Sequence, residues 1–309
     1  MLQGRFSGGG GVILVTGGTG FVGPKIVHAL RAEEKPVRAL VRDPSSSSAR
    51  RLSAWCCELI QGDATDPESL RRATEGADAV VHLIALIAGK PKEFERVMSQ
   101  GTRDLVTAAK EAGVSRFVLM SALGTTEESK DLVPYYHSKW DMEQTVKGSG
   151  IEHVIFRPSF VFGKDGGVLP IFMRQVKYSP VTPVPGSGTR RLQPIWVDDV
   201  AAFFARALSA DEAANRTFDL GGPDQVTWNE LYDRLKRTLG KRRPTLHVPI
   251  GLMRAGAALA ERLPRPPVTR DQLAMLEDAD NVGDIDPAVG TFGIRPIGLD
   301  EQLRRAAAP

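Results

Sequence analysis

The residues of this sequence best suited to chemistry are a tyrosine and a lysine four positions apart, Tyr135 and Lys139 in Pro134-Tyr135-Tyr136-His137-Ser138-Lys139. On a helix that spacing puts both side chains on one face, where they can address the same ligand. An ammonium beside a phenol stabilises the phenolate, so the tyrosine becomes a usable proton donor and acceptor below its ordinary pKa. Ser121, at the end of the apolar run Phe117-Val118-Leu119-Met120, offers a hydroxyl that could hold a substrate carbonyl oxygen beside that phenol. The tyrosine–lysine spacing also occurs in helices without chemistry, and Tyr136 or His137 is an alternative inward-facing residue.

Such a group needs a ligand brought to it, and the start of the chain carries the means. The stretch Val12-Ile13-Leu14-Val15-Thr16-Gly17-Gly18-Thr19-Gly20-Phe21-Val22-Gly23 runs from an apolar strand into a G-x-x-G-x-x-G turn. Apolar Val22, Ile26, Ala29 and Leu30 then recur at helical spacing. This is the order required of a dinucleotide-binding turn. Gly17 permits the sharp turn, Gly20 leaves room for a pyrophosphate, and Gly23 lets the new helix pack closely. The helix start presents unpaired N–H groups and a positive dipole end to phosphates, with Thr19, Phe21 and Val22 also in the turn. A second strand is expected over Val37–Arg42. Where an acid would take a ribose 2′-hydroxyl stands Val41, with Arg42 beside it. A guanidinium fork suits a 2′-phosphate, so NADP(H) is expected in preference to NAD(H). Arg42 as an ordinary strand-end charge is the alternative, and Asp43 could partly neutralise it.

The intervening elements alternate. Ser45 to Ser48 reads as a flexible connection, Glu58 to Asp63 as a third strand, and Pro67 to Thr74 as a short helix. Asp63 ends that strand, with Ala64 after it, and its carboxylate either reaches the adenine or closes an Asx turn. Ala79-Val80-Val81-His82-Leu83-Ile84-Ala85 is apolar enough for a buried parallel strand, with Leu83, Ile84 and Ala85 at its cofactor end. His82 within it reads as a satisfied core histidine. A helix over Glu93–Glu111, with Phe94, Val97, Met98, Leu105 and Ala109 inward, precedes the strand ending at Ser121. Strands alternating with helices imply a doubly wound parallel α/β sheet of Rossmann type, whose ligands lie beyond the strand C-termini. Gly20, Arg42, Asp63, Ala85 and Ser121 all fall at that edge.

The second half suggests a smaller lobe. His153 to Phe156 is another strand, after which Pro158, Phe160 and Val161 would pass over a nicotinamide. Residues 165–191 are rich in Gly, Pro and basic residues, with one short helix around Ile171–Val176. Substrate specificity is expected there, and Arg174, Lys177, Arg190 and Arg191 either receive an anionic substrate or are solvated surface. Thr217 to Gly222 reads as a returning sheet strand, and Asn229 to Leu239 as an amphipathic helix. Ile250 to Leu263 is an Ala-, Leu- and Met-rich helix expected to pack against the small lobe. A patch for a quinone, a membrane surface or a protein partner is its alternative. The organisation expected is a flexible leader over 1–11 and a dinucleotide-binding domain over 12–164, joined by about 192–224. Residues 165–191 and 225–309 form a smaller C-terminal substrate or partner lobe.

Composition narrows the classes. The 309 residues carry 40 Lys and Arg against 37 Asp and Glu, a net charge of +3 that gives no reason to expect nucleic acid. No run of about 18 apolar residues signals a membrane span. The two cysteines, Cys56 and Cys57, are adjacent, which leaves neither a disulfide framework nor metal-ligand spacing, so a reducing cytoplasmic setting is expected.

Thr16-Gly17-Gly18-Thr19-Gly20-Phe21-Val22-Gly23, Ser121 and Tyr135-x-x-x-Lys139 together resemble the short-chain dehydrogenase/reductase superfamily. Arg157-Pro158-Ser159-Phe160-Val161-Phe162-Gly163 and Val197-Asp198-Asp199-Val200-Ala201 are similar to its extended and atypical branches, which include nucleotide-sugar epimerases. Gln193-Pro194-Ile195-Trp196-Val197-x-Asp199-Val200 and Pro266-Pro267-Val268-Thr269-Arg270-Asp271-Gln272-Leu273 look most like the atypical group containing the NADPH-binding accessory subunit of respiratory complex I and its bacterial relatives. The resemblance implies that Tyr135 is the general acid/base, that Lys139 binds the nicotinamide ribose and lowers the tyrosine pKa, and that Ser121 orients the reacting oxygen. The chain between Ser121 and Tyr135 is short, and Met120 replaces a serine frequent in sugar-modifying members. Three functions follow as expectations: an NADP(H)-dependent oxidoreductase, a non-catalytic NADP(H)-binding accessory or assembly protein, and a nucleotide-sugar epimerase or dehydratase. The small-molecule substrate is not specified, and a peripheral membrane or protein-complex contact remains compatible with the sequence.

Overall fold

The computed structural model describes residues 11–261 and 269–308. The expected leader lies outside them apart from Gly11, as do residues 262 and 263 of the Ile250–Leu263 helix and the Pro266-Pro267-Val268 portion of the C-terminal motif. In chain order the first half comprises β1 (Val12–Thr16), α1 (Gly23–Ala32), β2 (Val37–Val41), α2 (Ser47–Ala54), β3 (Glu58–Gln61), α3 (Pro67–Thr74) and β4 (Ala77–His82). It continues through α4 (Pro91–Phe94), a π-helical turn at Glu95–Gln100, α5 (Gly101–Glu111), β5 (Arg116–Met120), α6 (Pro134–Lys147) and β6 (Glu152–Pro158). Then come β7 (Val161–Phe162), α7 (Leu169–Tyr178), β8 (Thr182–Pro185), β9 (Arg191–Leu192), β10 (Ile195–Trp196), α8 (Val197–Ala207), β11 (Arg216–Leu220) and β12 (Val226–Thr227). The remainder is α9 (Trp228–Thr238), β13 (Thr245–Val248), α10 (Ile250–Ala260), α11 (Arg270–Asp278), α12 (Asp286–Phe292) and α13 (Leu299–Ala307).

Seven strands form one sheet in the order β11-β6-β5-β4-β1-β2-β3, with every neighbouring pair parallel. Strand order reverses between β1 and β4, which opens a crevice at their C-terminal ends. Both faces are covered, as an all-parallel sheet requires. Along β1, Ile13 and Val15 face a core shared with Ile26 and Leu30 of α1 and Phe204 of α8. Leu14 faces the other way, into a core with Leu70, Leu105 and Met142 from α3, α5 and α6. The fold is therefore the doubly wound Rossmann-type sheet that the alternating pattern implied. No helix among the described residues is long and apolar enough to cross a membrane.

Four local expectations change. The serine stretch is ordered: Ser46 accepts from the Ala49 N–H and caps α2, because a short hydroxyl side chain satisfies an otherwise unpaired helix-end donor. The single helix expected over Glu93–Glu111 is interrupted by the π-helical turn, a hydrogen-bond register that apolar periodicity does not encode. Part of the C-terminal region packs back on the sheet. Phe292 of α12 enters the sheet core, 5.4 Å from the Phe156 ring and 5.1 Å from that of Phe218. Finally, α10 does not bury itself against the small lobe: of its residues whose burial is described, only Ala257 is buried, while Leu252 and Leu259 are each 65% exposed.

The glycine turn is held by backbone packed on backbone. A Cβ at Gly23 would lie 2.4 Å from the Gly17 carbonyl oxygen and 2.6 Å from Gly18 Cα, whereas one at Gly20 would meet only the Gly17 oxygen, at 3.3 Å. Gly23→Ala is therefore expected to lower the unfolding free energy by about 1–3 kcal/mol, as overpacking does. Gly20→Ala should leave it nearly unchanged in the same urea titration. Equal stability of the two variants would contradict this packing.

Candidate functional site

The crevice between β1 and β4 is where the glycine turn meets the sheet. Gly17 has φ +78°, and an added Cβ there would press on the Leu83 carbonyl carbon and Ile84 nitrogen just beyond β4. The Leu83 N–H donates to the Thr16 carbonyl at 3.0 Å, which ties the two strand ends together. Gly20 is exposed and Thr19 half-buried, so the outer side of the turn is open to a ligand. Val22 and Leu83 are buried. Phe21 is placed differently from a phosphate contact. Its ring fills a cradle formed by Gly163, Gly166 and Gly167, where an added Cβ would come within 2.8, 2.3 and 2.9 Å of the ring. Its backbone alone faces the turn, and the ring joins the turn to the loop between β7 and α7.

At the ends of β2 and β3, Arg42 is exposed. Asp43 is occupied elsewhere, since it accepts from the Ser45 N–H at 2.8 Å and the Ser45 hydroxyl at 2.6 Å. Those bonds hold its carboxyl below the usual range. Asp63 closes an Asx turn by accepting from the Thr65 N–H and hydroxyl, both at 2.8 Å through Oδ1. Partial burial opposes its charge, but these bonds and the nearby Arg42 and Arg96 still keep the carboxyl below its ordinary value. Ala64 is buried, with its carbonyl against Gly101, where a Cβ would approach to 2.9 Å. Ile84 is half-buried and Ala85 exposed at the end of β4.

Proline at the first turn fixes the start of α6, which carries Tyr135 and Lys139 to the end of β5. Lys139 is 1% exposed, and its Nζ donates to the Met120 carbonyl at 2.6 Å, one residue before Ser121. That Nζ also lies 5.8 Å from the centre of the Tyr135 ring. Burial lowers the lysine pKa to about 7, against the opposing charge of Glu143. Burial raises the phenol of Tyr135, and the neighbouring Tyr136 adds to the effect. The expected depression of the tyrosine pKa is thus absent, because the ammonium is directed at a backbone carbonyl and the phenol is desolvated. Tyr136 is buried with its hydroxyl toward the Leu123 carbonyl, and burial pushes it up to about 12. His137 is exposed and lies beside Asp131 and Asp141.

Below this pair sits a carboxylate that sequence reasoning passed over. Glu143, one turn beyond Lys139, is fully buried, and it accepts from Arg157 Nε at 2.8 Å, Arg157 Nη2 at 2.7 Å and Lys147 Nζ at 3.1 Å. Burial works against its charge, but the Arg157 fork holds the carboxyl below the usual range. The Ser121 hydroxyl is buried and meets no hydrogen-bond geometry among the described residues, although it is close enough to favour the ionised Glu143. The available signal was the i, i+4 series Lys139, Glu143, Lys147 along one helix face. Arg157 in turn faces Asp219 across the β6–β11 pair. Burial raises the Asp219 carboxyl and Arg157 opposes the rise.

His82 is enclosed in the core. Thr102 Oγ1 donates to the Met98 carbonyl at 2.6 Å, so it accepts from His82 Nε2 at 3.0 Å, and Thr16 Oγ1 donates to Nδ1 at 2.6 Å. Burial lowers the imidazole to about 3, with Lys139 adding to the effect, and it stays neutral.

A strap with no local sequence signal crosses the ends of β6 and β11. Arg190 donates to the Glu277 carbonyl at 2.6 Å, Arg191 pairs with Asp280 at 2.8 Å, and the Asn281 N–H donates to the Arg191 carbonyl at 2.8 Å. The Ser159 hydroxyl donates to Asn281 Oδ1, and the Gly283 N–H to Gln193 Oε1 at 3.0 Å. Arg190 and Arg191 are therefore engaged in holding this strap rather than an anionic ligand, whereas Arg174 and Lys177 are exposed. Phe160 packs edge-on against Trp228 at 5.8 Å, Pro158 ends β6, and Val161 lies in β7 with its carbonyl against Gly167. No group of acidic, histidine or cysteine side chains among the described residues is suited to a metal.

The NmrA-like family model matches residues 10–290. Ceramide reductase from Caulobacter vibrioides is 33% identical over 251 residues, covering 80% of this chain and 77% of that protein. The mitochondrial NADH dehydrogenase [ubiquinone] 1 alpha subcomplex subunit 9 of Rattus norvegicus is 29% identical, covering 98% of this chain and 82% of its own length. Among solved structures, that of gox2253 superposes with a TM-score of 0.78 at 26% identity, covering 96% of each chain.

Removing one member of the buried pair strands the other. Glu143→Ala is expected to cost about 3–5 kcal/mol in urea unfolding. The Glu143 carboxyl is lowered by folding from 4.5. Its contribution is complete above that value and lost as pH falls through its lower folded value. Glu143→Gln should therefore flatten the acid limb of the stability curve, and an unchanged limb would contradict the ionised pair.

Proposed function

The chain belongs to the NmrA-like family, and from that membership we propose that it is an NADP(H)-dependent oxidoreductase of the atypical short-chain dehydrogenase/reductase type, acting in the direction of reduction. The observation that carries this reading is the placement of Tyr135 and Lys139 at the end of β5, on the same sheet edge as the open glycine turn. A ceramide reductase among the similar proteins supports it.

The chain's own residues suit a dinucleotide. Backbone N–H groups from Gly17 to Gly23 at the start of α1 would hold the pyrophosphate, since no side chain stands over Gly20. Exposed Arg42 would take a 2′-phosphate, because the one carboxylate next to it in sequence is bound to Ser45. Asp63 Oδ2 and the backbone at Ala64 would meet the adenine side. Leu83, Ile84 and Ala85 beyond β4, and Pro158, Phe160 and Val161 beyond β6, would flank the nicotinamide half. A bound nicotinamide supplies the hydride that reduces a carbonyl carbon. Tyr135 donates its phenolic proton to the oxygen, and its raised pKa keeps that proton in place across the neutral range. Lys139, close to the tyrosine ring, would engage a ribose hydroxyl, and Ser121 would hold the reacting oxygen.

One observation favours a second reading, a cofactor-binding accessory or assembly protein without turnover. Lys139 donates to Met120 and does not lower Tyr135, and the rat NADH dehydrogenase subunit is similar over nearly the whole chain. Tight NADPH binding with no reduction of any carbonyl substrate in a broad screen would favour it.

One variant tests the catalytic role and a second the cofactor choice. Tyr135→Phe is expected to lower turnover by about two to four orders of magnitude, with NADPH affinity retained in a fluorescence titration. Unaltered turnover would remove Tyr135 as the acid. Arg42→Ala should weaken NADPH by about 1.5–3 kcal/mol while leaving NADH nearly unchanged. Equal losses for both cofactors would remove the 2′-phosphate contact.

A further inference from the structure

The segment from Lys241 to Leu259 is laid along the outside of the molecule. Only Ala257 within it is buried. It contains Lys241, Arg242, Arg243 and Arg254 and not one Asp or Glu. The first three of these cations, with Arg237 of the preceding helix, line a shallow concave surface at the C-terminal end of α9. The Arg243 Nε is covered there without a hydrogen-bond partner among the described residues. The acids that border this surface are already engaged: Asp233 pairs with Lys236 at 2.8 Å, and Glu230 caps α9 through the Thr227 N–H. Glu277, on α11, is paired with Arg254. What remains outward is net positive.

The apolar half of the segment follows directly. Leu246 on β13 is 51% exposed, and Leu252 and Leu259 stand seven residues apart on the outer face of α10, with Ala255 between them. Ala257 takes the other side, and α10 packs on α11. Cβ atoms added at Gly251 and Gly256 would meet nothing within 4 Å, so the outer face of the helix is open. An apolar stripe left to water is a standing cost unless something covers it.

We propose that Lys241–Leu259 is a docking surface for an anionic lipid bilayer, with the basic cluster on the headgroup phosphates and the outer face of α10 lying in the interface. Charge selects this occupant. A segment free of acids, with cations at one end and an unpaired apolar helix face at the other, complements a surface that is negative outside and hydrocarbon beneath. A protein partner would require a matched acidic and apolar patch, and a second copy of this chain would bring like charges together. This inference stands apart from the proposed reductase activity and is tested without it.

The test is flotation of the full chain with phosphatidylcholine vesicles and with vesicles in which part of that lipid is replaced by phosphatidylglycerol. The expected result is binding to the anionic vesicles, little to the neutral ones, and release as salt shortens the screening length. Arg242→Ala with Arg243→Ala should weaken binding about thirtyfold, from about fivefold per cation near the surface. Leu252→Asp with Leu259→Asp, at exposed positions whose change leaves the core intact, should abolish binding while the melting temperature holds. The proposal is overturned if the wild type ignores anionic vesicles or if the Leu252→Asp/Leu259→Asp variant still floats. It is also overturned if the chain forms a dimer that this variant breaks while vesicles go unbound, since a second copy then covers the face.

Discussion

The contact on which the rest of the site depends is backbone against backbone where α1 begins. Gly23 lies so close to Gly17 and Gly18 that no side chain fits between them. The closeness fixes how near α1 starts to the turn that leaves β1. Gly17, on the other side of the turn, rests on the backbone leaving β4. Two strands and a helix thus converge on a few atoms of main chain. A ligand arriving there meets donors and dipole rather than side chains, which is the physical basis for an anion site at a helix start.

Beyond β5 the organising principle changes from close approach to charge. Glu143 is out of water and kept ionised by the Arg157 fork and Lys147. It sits one helical turn from Lys139, whose ammonium is also buried and whose charged form it favours. Without that carboxylate the lysine would rest on the Met120 carbonyl and the face of the Tyr135 ring. Ser121 lies near the same carboxylate, so the three polar groups at the end of β5 share one buried electrostatic environment. A buried ion pair adds little stability compared with an apolar replacement, but it is costly to halve. Its effect here is to fix which side chains carry charge beneath the site.

Much of this arrangement was legible because its signals are local. The glycine spacing, the apolar run before it, Pro134 at the start of α6 and the alternation of strands and helices are patterns within a few residues, and they identify the sheet and its ligand edge. The Lys139–Glu143–Lys147 series was equally local and could have been read from helical spacing. Other features were out of reach because long-range packing decides them. Nothing near Phe21 in sequence says that its ring is received by Gly163, Gly166 and Gly167, and nothing near Arg191 announces Asp280. Periodicity gave α10 its helical form but not its covering, since an apolar stripe reads the same whether it faces a core, a membrane or solvent. Ser46 shows the opposite case, a serine read as flexible where its hydroxyl caps a helix.

His82 links the two regimes. The hydrogen of Thr102 is committed to Met98, so the imidazole must donate from Nε2 and accept at Nδ1 from Thr16, the last residue before the glycine turn. A ring so fixed has no direction from which to bind a second proton, and burial reinforces this. Its neutrality matters for Lys139. A charged imidazole would repel the buried ammonium, so each group's protonation opposes the other's. With Glu143 behind it the lysine, at about 7, takes up a proton well before the histidine, at about 3, which serves as a neutral tie between β1, β4 and α5. The hydrogen bonds that anchor the glycine turn from below therefore also leave the charge at the site to Lys139. A change at Thr16 or Thr102 would therefore reach Lys139 through the histidine.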